Sequence, residues 1–118
     1  MIDEATRATP TSQAENATER RRFFVSRHPG AIEWARRYPW SRHAEFVPHL
    51  DVTRLVPGDT VIGTLPVHLA AAVCARGAKY LHLALELSAY QRGQELTADE
   101  LEVAGAHLVP YEVRAGGF

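Results

Sequence analysis

The sequence predicts an α/β protein, a compact three-layer Rossmann-like sandwich of about five mostly parallel strands. Short runs of β-branched and aromatic residues alternate with helical patterns, which is the signature of an α/β sheet. The connections are short, and a strand, crossover and strand in one sheet then favour parallel pairing with right-handed crossovers. Two of the strand-like runs also end in Ser, Thr, Gly and Pro just where helical patterns begin, as strand-to-helix turns do.

The elements follow in order. Arg21-Arg-Phe-Phe-Val-Ser26 is a short apolar run that fits a buried first strand. His28–Tyr38 is an amphipathic helix, because Ala31, Trp34, Ala35 and Tyr38 recur at i, i+3, i+4 and i+7 while Glu33 and Arg37 pair at i, i+4 on the other side. Pro29 suits its first turn and Pro39 ends it. Ala44–Leu50 reads as a second strand in which Pro48 removes a ladder donor and so favours an end or an edge. Pro57-Gly58-Asp59 marks a turn before the short buried strand Thr60–Gly63. Thr64–Arg76 is the next helix, with Pro66 near its start and Gly77 as its C-terminal cap. Lys79–Glu86 is a strand whose apolar residues are interrupted by His82, residues 87–96 are a loop, and Thr97-Ala-Asp-Glu100 is a capping box before Leu101 and Ala104. Gly105 closes that short helix, and His107–Val113 supplies the last strand.

Composition narrows the function classes. The chain has 118 residues, 46% apolar and 23% charged, with a formal net charge of −1. That is the composition of one ordinary globular domain. No run is long and apolar enough to span a bilayer, and the amino-terminal segment lacks the apolar core of a signal peptide, so a cytoplasmic protein without membrane partners is expected. The single cysteine, Cys74, lies in an apolar stretch and reads as a small buried hydrophobe, which excludes a disulfide scaffold. Residues 1–19 are acidic, polar and aperiodic, and read as a disordered extension. The domain is then residues 20–118. Eleven of its twelve bases are arginine, a side chain whose planar fork suits phosphate and carboxylate. Its low net charge argues against a protein that coats long nucleic acid.

Ligands of open α/β sheets bind outside the carboxyl ends of the strands. Two turns lie there. Ser26-Arg27-His28-Pro29-Gly30 offers a hydroxyl, a guanidinium, an imidazole and helix-start N–H groups, all suited to a phosphate. The same string also reads as plain capping, with Ser26 holding the helix start and Arg27 and His28 solvated. Gly63-Thr64-Leu65-Pro66 provides a glycine that admits a ligand close to the backbone and a threonine able to meet a phosphate or ribose, or to cap the helix. Neither turn is a Walker loop or a dinucleotide fingerprint. His82 reads as a hydrogen-bonded core or interface group; His49 can reach the site from the second strand's end or shape a turn; His68 falls in the first turn of the second helix, where it can overlook the same crevice. His43 and His107 read as surface residues. No pair of histidines has metal-ligand spacing, so no metal or cofactor is expected. Arg92, in Arg92-Gly-Gln-Glu-Leu96, belongs to a segment placed to act as a flap over the crevice.

The order of these motifs carries a resemblance. Phe23-Phe-Val-Ser-Arg-His-Pro-Gly-Ala-Ile-Glu-Trp34, Gly58-Asp-Thr-Val-Ile-Gly-Thr-Leu-Pro66, Ala75-Arg-Gly-Ala-Lys-Tyr-Leu-His-Leu83 and Arg92–Leu96 together resemble the small stand-alone CRISPR-associated proteins counted among the type III ring nucleases, over about residues 22–113. The resemblance implies a minimal relative of the CRISPR-associated Rossmann-fold sensor domains, which bind cyclic oligoadenylate messengers across a two-fold dimer. It implies a ring nuclease whose usual ligand is cyclic tetra-adenylate and whose products are linear di-adenylates ending in a 2′,3′-cyclic phosphate. A chain of this length leaves no room for an attached effector nuclease, so a degrader, or a non-catalytic binder that sequesters the ring, is expected.

On that reading Arg27 and the N–H groups from His28 through Pro29 to Gly30 hold the scissile phosphate. Ser26 orients the phosphate or the 2′-hydroxyl, and His28 acts as general acid or base. Gly63, Thr64, Arg92 and His49 contact the ring's other phosphates and riboses, and a homodimer matches the ligand's two-fold symmetry. An enzyme acting on mononucleotides and a structural interaction domain are the remaining alternatives.

Overall fold

The computed structural model describes residues 20–88 and 91–117; the predicted amino-terminal extension lies outside them. Five strands form one sheet: β1 (Arg22–Val25), β2 (Ala44–Val47), β3 (Thr60–Gly63), β4 (Lys79–Ala84) and β5 (His107–Tyr111), in the order β2-β1-β3-β4-β5. Three helices accompany them: α1 (Pro29–Arg36), α2 (Val67–Ala75) and α3 (Ala98–Val103). The fold is the predicted Rossmann-like α/β sandwich. Alternation along each strand divides the core between its two faces. Phe24, Ile62 and Leu83 pack with Trp34 and Ala35 of α1 and Leu101 of α3, while the neighbouring Phe23, Val61 and Tyr80 face Ala70 and Val73 of α2. Helices therefore cover both faces.

β1 pairs in parallel with β2 and β3, and β3 with β4, as expected. β5 runs antiparallel to β4. The chain folds back here: the Glu86 N–H donates to the Ala104 carbonyl at 3.0 Å, so it leaves and returns at the same end of the sheet and makes no crossover. Element ends also move. β2 stops at Val47, and Pro48 ends it at the edge of the sheet. α2 starts at Val67 rather than Thr64, with Pro66 at its N-cap. α1 ends at Arg36 rather than Tyr38, ahead of Pro39, which instead opens a five-residue 3₁₀ turn, Pro39–His43. That turn brings Trp40 beside Trp34, Tyr38 and Phe24, an aromatic group that closes the first face of the sheet. The capping box of α3 forms as the sequence predicts, with Glu100 N–H donating to Thr97 Oγ1 and Thr97 N–H to Glu100 Oε1.

Asp59, a turn residue in the sequence, is fully buried. Burial pushes its carboxyl up, but N–H donors from Val56 and Arg21 and the Arg21 guanidinium at 3.2 Å outweigh it and hold the group below the ordinary carboxylate range. The depressed folded value means that this contribution is complete above the unfolded value, about pH 4, and is lost as pH falls further through the folded value. Asp59→Asn should cost about 2 kcal/mol in urea unfolding at neutral pH, and the gap to wild type should shrink on acidification below about pH 4. A gap that stays constant to pH 2 would contradict this account.

Candidate functional site

The parallel register sets the site. Val25 lies beside Val47 on one side and Gly63 on the other, so Ser26, Pro48 and Thr64 leave the sheet side by side. From β1 the chain proceeds to β2 in one direction, whereas β3 proceeds to β4 in the other. The gap between β1 and β3 is thus the topological switch point, where open α/β sheets bind ligands. A crevice of about 580 Å³ occupies it, within the usual range for a small-molecule site.

The crevice brings together six of the nine predicted residues: Ser26, Arg27, His28, His49, Gly63 and Thr64. Its walls are otherwise mostly apolar, with Leu50, Leu65, Leu69, Leu85 and Leu87 and the rings of Pro48 and Pro66, surfaces suited to the faces of planar bases. Pro29, Gly30 and Arg92 are not among its lining residues. Pro29 is exposed at the first position of α1, and Arg92 is exposed on the far part of the segment after β4. Gly30 is buried and serves packing instead, since a Cβ there would lie 1.8 Å from the Leu96 carbonyl oxygen. The segment after β4 packs its backbone directly on the start of α1.

Local hydrogen bonds refine the roles of the first turn. The Ser26 N–H donates to the Val47 carbonyl, and Ser26 Oγ accepts from the His28 N–H at 3.1 Å. Ser26 therefore shapes the turn without being the N-cap, which is His28 itself with no side-chain cap. The Ser26 hydroxyl keeps its proton to donate. Of the backbone N–H groups assigned to a phosphate, that of His28 is already committed and Pro29 has none, so Gly30 alone lacks an acceptor within the helix. Arg27 is the cation this turn leaves available, since it is exposed and has no carboxylate partner among the described residues. In the second turn Thr64 Oγ1 donates to the Leu83 carbonyl at 3.3 Å and does not cap α2. Beneath that turn the Tyr80 hydroxyl accepts from the Leu65 N–H and contacts the Gly63 carbonyl and His82 Nδ1, which fixes the glycine's backbone.

One ionisable lining residue was not foreseen. Glu95 Oε2 lies 2.8 Å from His28 Nδ1. Its stretch, Arg92–Leu96, is legible as a flap, but the needs of an anionic ligand point to the arginine and pass over the carboxylate. His68 falls elsewhere, beside Cys74 and Val113 in a groove between α2 and the carboxyl-terminal segment. Cys74 is half-buried there, and its Sγ accepts from the Val113 N–H. Among the described residues no cluster of three or more His, Cys, Asp or Glu side chains is arranged to hold a metal ion, and no helix is long and apolar enough to cross a membrane.

Residues 23–114 match the protein family described as "Putative CRISPR-associated protein (Cas_VVA1548)". That span contains every strand partner and every crevice residue named above except Arg22 of β1. No curated protein and no solved structure matches the chain.

Proposed function

We propose that this chain, which belongs to the Cas_VVA1548 family of CRISPR-associated proteins, is a ring nuclease that degrades a cyclic oligoadenylate messenger of type III defence, cyclic tetra-adenylate first among them. The observation that carries the reading is the switch-point crevice, where an arginine without a carboxylate partner among the described residues and a histidine stand at the end of β1 between apolar walls. Phosphate, proton transfer and base each find a matching surface there.

The reaction needs little from outside the ring. A ribose 2′-oxygen attacks the adjacent 3′-phosphorus, the bond from that phosphorus to the next nucleotide's 5′-oxygen breaks, and a 2′,3′-cyclic phosphate remains. One proton leaves the 2′-hydroxyl and one reaches the departing 5′-oxygen. Two such cuts give two linear di-adenylates. No metal is required, because the nucleophile belongs to the substrate. Arg27 and the Ser26 hydroxyl hold the phosphoryl oxygens, and His28 moves the proton. Incubation with cyclic tetra-adenylate in EDTA, followed by mass spectrometry, should yield di-adenylate with a cyclic phosphate. An intact ring bound at micromolar concentration would instead support sequestration.

A homodimer accompanies this reading. α2 contains no Asp, Glu, Lys or Arg, yet buries only Ala70 and Val73 and leaves Val67 73% exposed. Apart from His68 the helix is apolar all round, and such a helix is normally covered. Leu69 of the same helix lines the crevice, so pairing through α2 brings two crevices together around one symmetric ligand. Light scattering at micromolar concentration should give twice the chain mass; a fully active monomer would rule the pairing out.

A further inference from the structure

We infer that Glu95 is a positioning residue for His28, fixing which ring nitrogen carries the proton in the reaction proposed above, on which this inference rests. The contact is between Glu95 Oε2 and His28 Nδ1 at 2.8 Å, across 67 residues of sequence. An ionised carboxylate only accepts hydrogen bonds. Nδ1 therefore holds the hydrogen, and in the neutral ring the other nitrogen, Nε2, keeps its lone pair for a substrate proton. A carboxylate that selects the tautomer and orients the ring is a recurring arrangement in acid–base sites.

Stability does not account for this pair. Both side chains are about two-thirds exposed, and ion pairs in that setting contribute little. Ligand affinity does not account for it either, since a carboxylate beside a phosphate-binding arginine opposes the binding of a tetra-anionic ring. Its approach to His28 is nevertheless built. The next residue, Leu96, lays its carbonyl against Gly30, two positions after His28, and Thr97 is fastened by the capping box of α3. The backbone on the carboxyl side of Glu95 is thus held to the same helix start that presents the histidine.

The test separates turnover from binding. Glu95→Gln removes the charge with little change of shape. It should slow single-turnover cleavage of cyclic tetra-adenylate by about 10- to 100-fold, while the ring binds as tightly as to wild type or more tightly. Nitrogen NMR of His28 in the free wild-type protein should find the neutral ring protonated on Nδ1. The inference is overturned if the variant cleaves at the wild-type rate, if its binding weakens in step with its rate as a flap latch would require, or if the neutral ring carries its proton on Nε2. A wild-type protein that leaves the ring intact overturns the ring-nuclease reading on which the inference rests, whatever the state of the Glu95–His28 contact. The tautomer is read without nucleotide, so it identifies which of the two has failed.

Discussion

His28→Ala should slow single-turnover cleavage of cyclic tetra-adenylate by about 10²- to 10⁴-fold while leaving the ring bound within a few-fold of wild type. The histidine lines the crevice, its side chain is about two-thirds exposed, and its loss would not disturb the packed core. Its backbone keeps its place in the variant, because the contacts that shape the turn are the His28 N–H to Ser26 Oγ and the His28 carbonyl to the Ile32 N–H, both independent of the side chain. Arg27 also remains to hold the phosphate. Loss is thus expected in the chemical step and not in affinity. Stopped-time assays with protein in excess, paired with equilibrium binding, distinguish the two. Unchanged cleavage would remove His28 from the mechanism, whereas a loss of binding as large as the loss of rate would make it a phosphate ligand.

Much of this architecture is legible in the sequence because it is determined locally. Thr97 and Glu100 are three residues apart, and their capping box needs nothing from the rest of the chain. The turn from β1 into α1 is equally local, which is why Ser26, Arg27 and His28 can be placed at a sheet end from their order alone. What the sequence does not disclose depends on pairs distant along the chain. The direction of β5 is set by the Glu86 to Ala104 contact, and a capped helix between two strands would normally signal a crossover. Arg37 reads as the i, i+4 partner of Glu33, yet its hydrogen-bond partner is Asp99 of α3 at 2.8 Å, which raises the guanidinium's pKa further. Glu102 likewise accepts from both Trp34 and Tyr38 across the α1–α3 contact. Glu95 belongs to the same class: only the fold brings a carboxylate from the flap to a histidine at the end of the first strand.

Gly30→Ala tests whether that long-range placement controls the site. Helix propensity alone favours the alanine by about 1 kcal/mol. The new Cβ, however, would stand 1.8 Å from the Leu96 carbonyl oxygen and 2.9 Å from its carbon, and both are backbone atoms that no rotamer change can move. The whole Leu96–Thr97 peptide must retreat by more than an ångström to reach ordinary contact, against a capping box with hydrogen bonds of 2.8 and 3.1 Å. Overpacking of this kind outweighs the propensity gain, so a net loss of about 3 kcal/mol is expected in urea unfolding. Because Glu95 immediately precedes Leu96, the same retreat draws its carboxylate away from His28. Cleavage should therefore fall in the variant under conditions where circular dichroism shows it fully folded. If Gly30→Ala instead retains wild-type stability and wild-type turnover, then the flap does not rest on α1 and the crevice has a different roof.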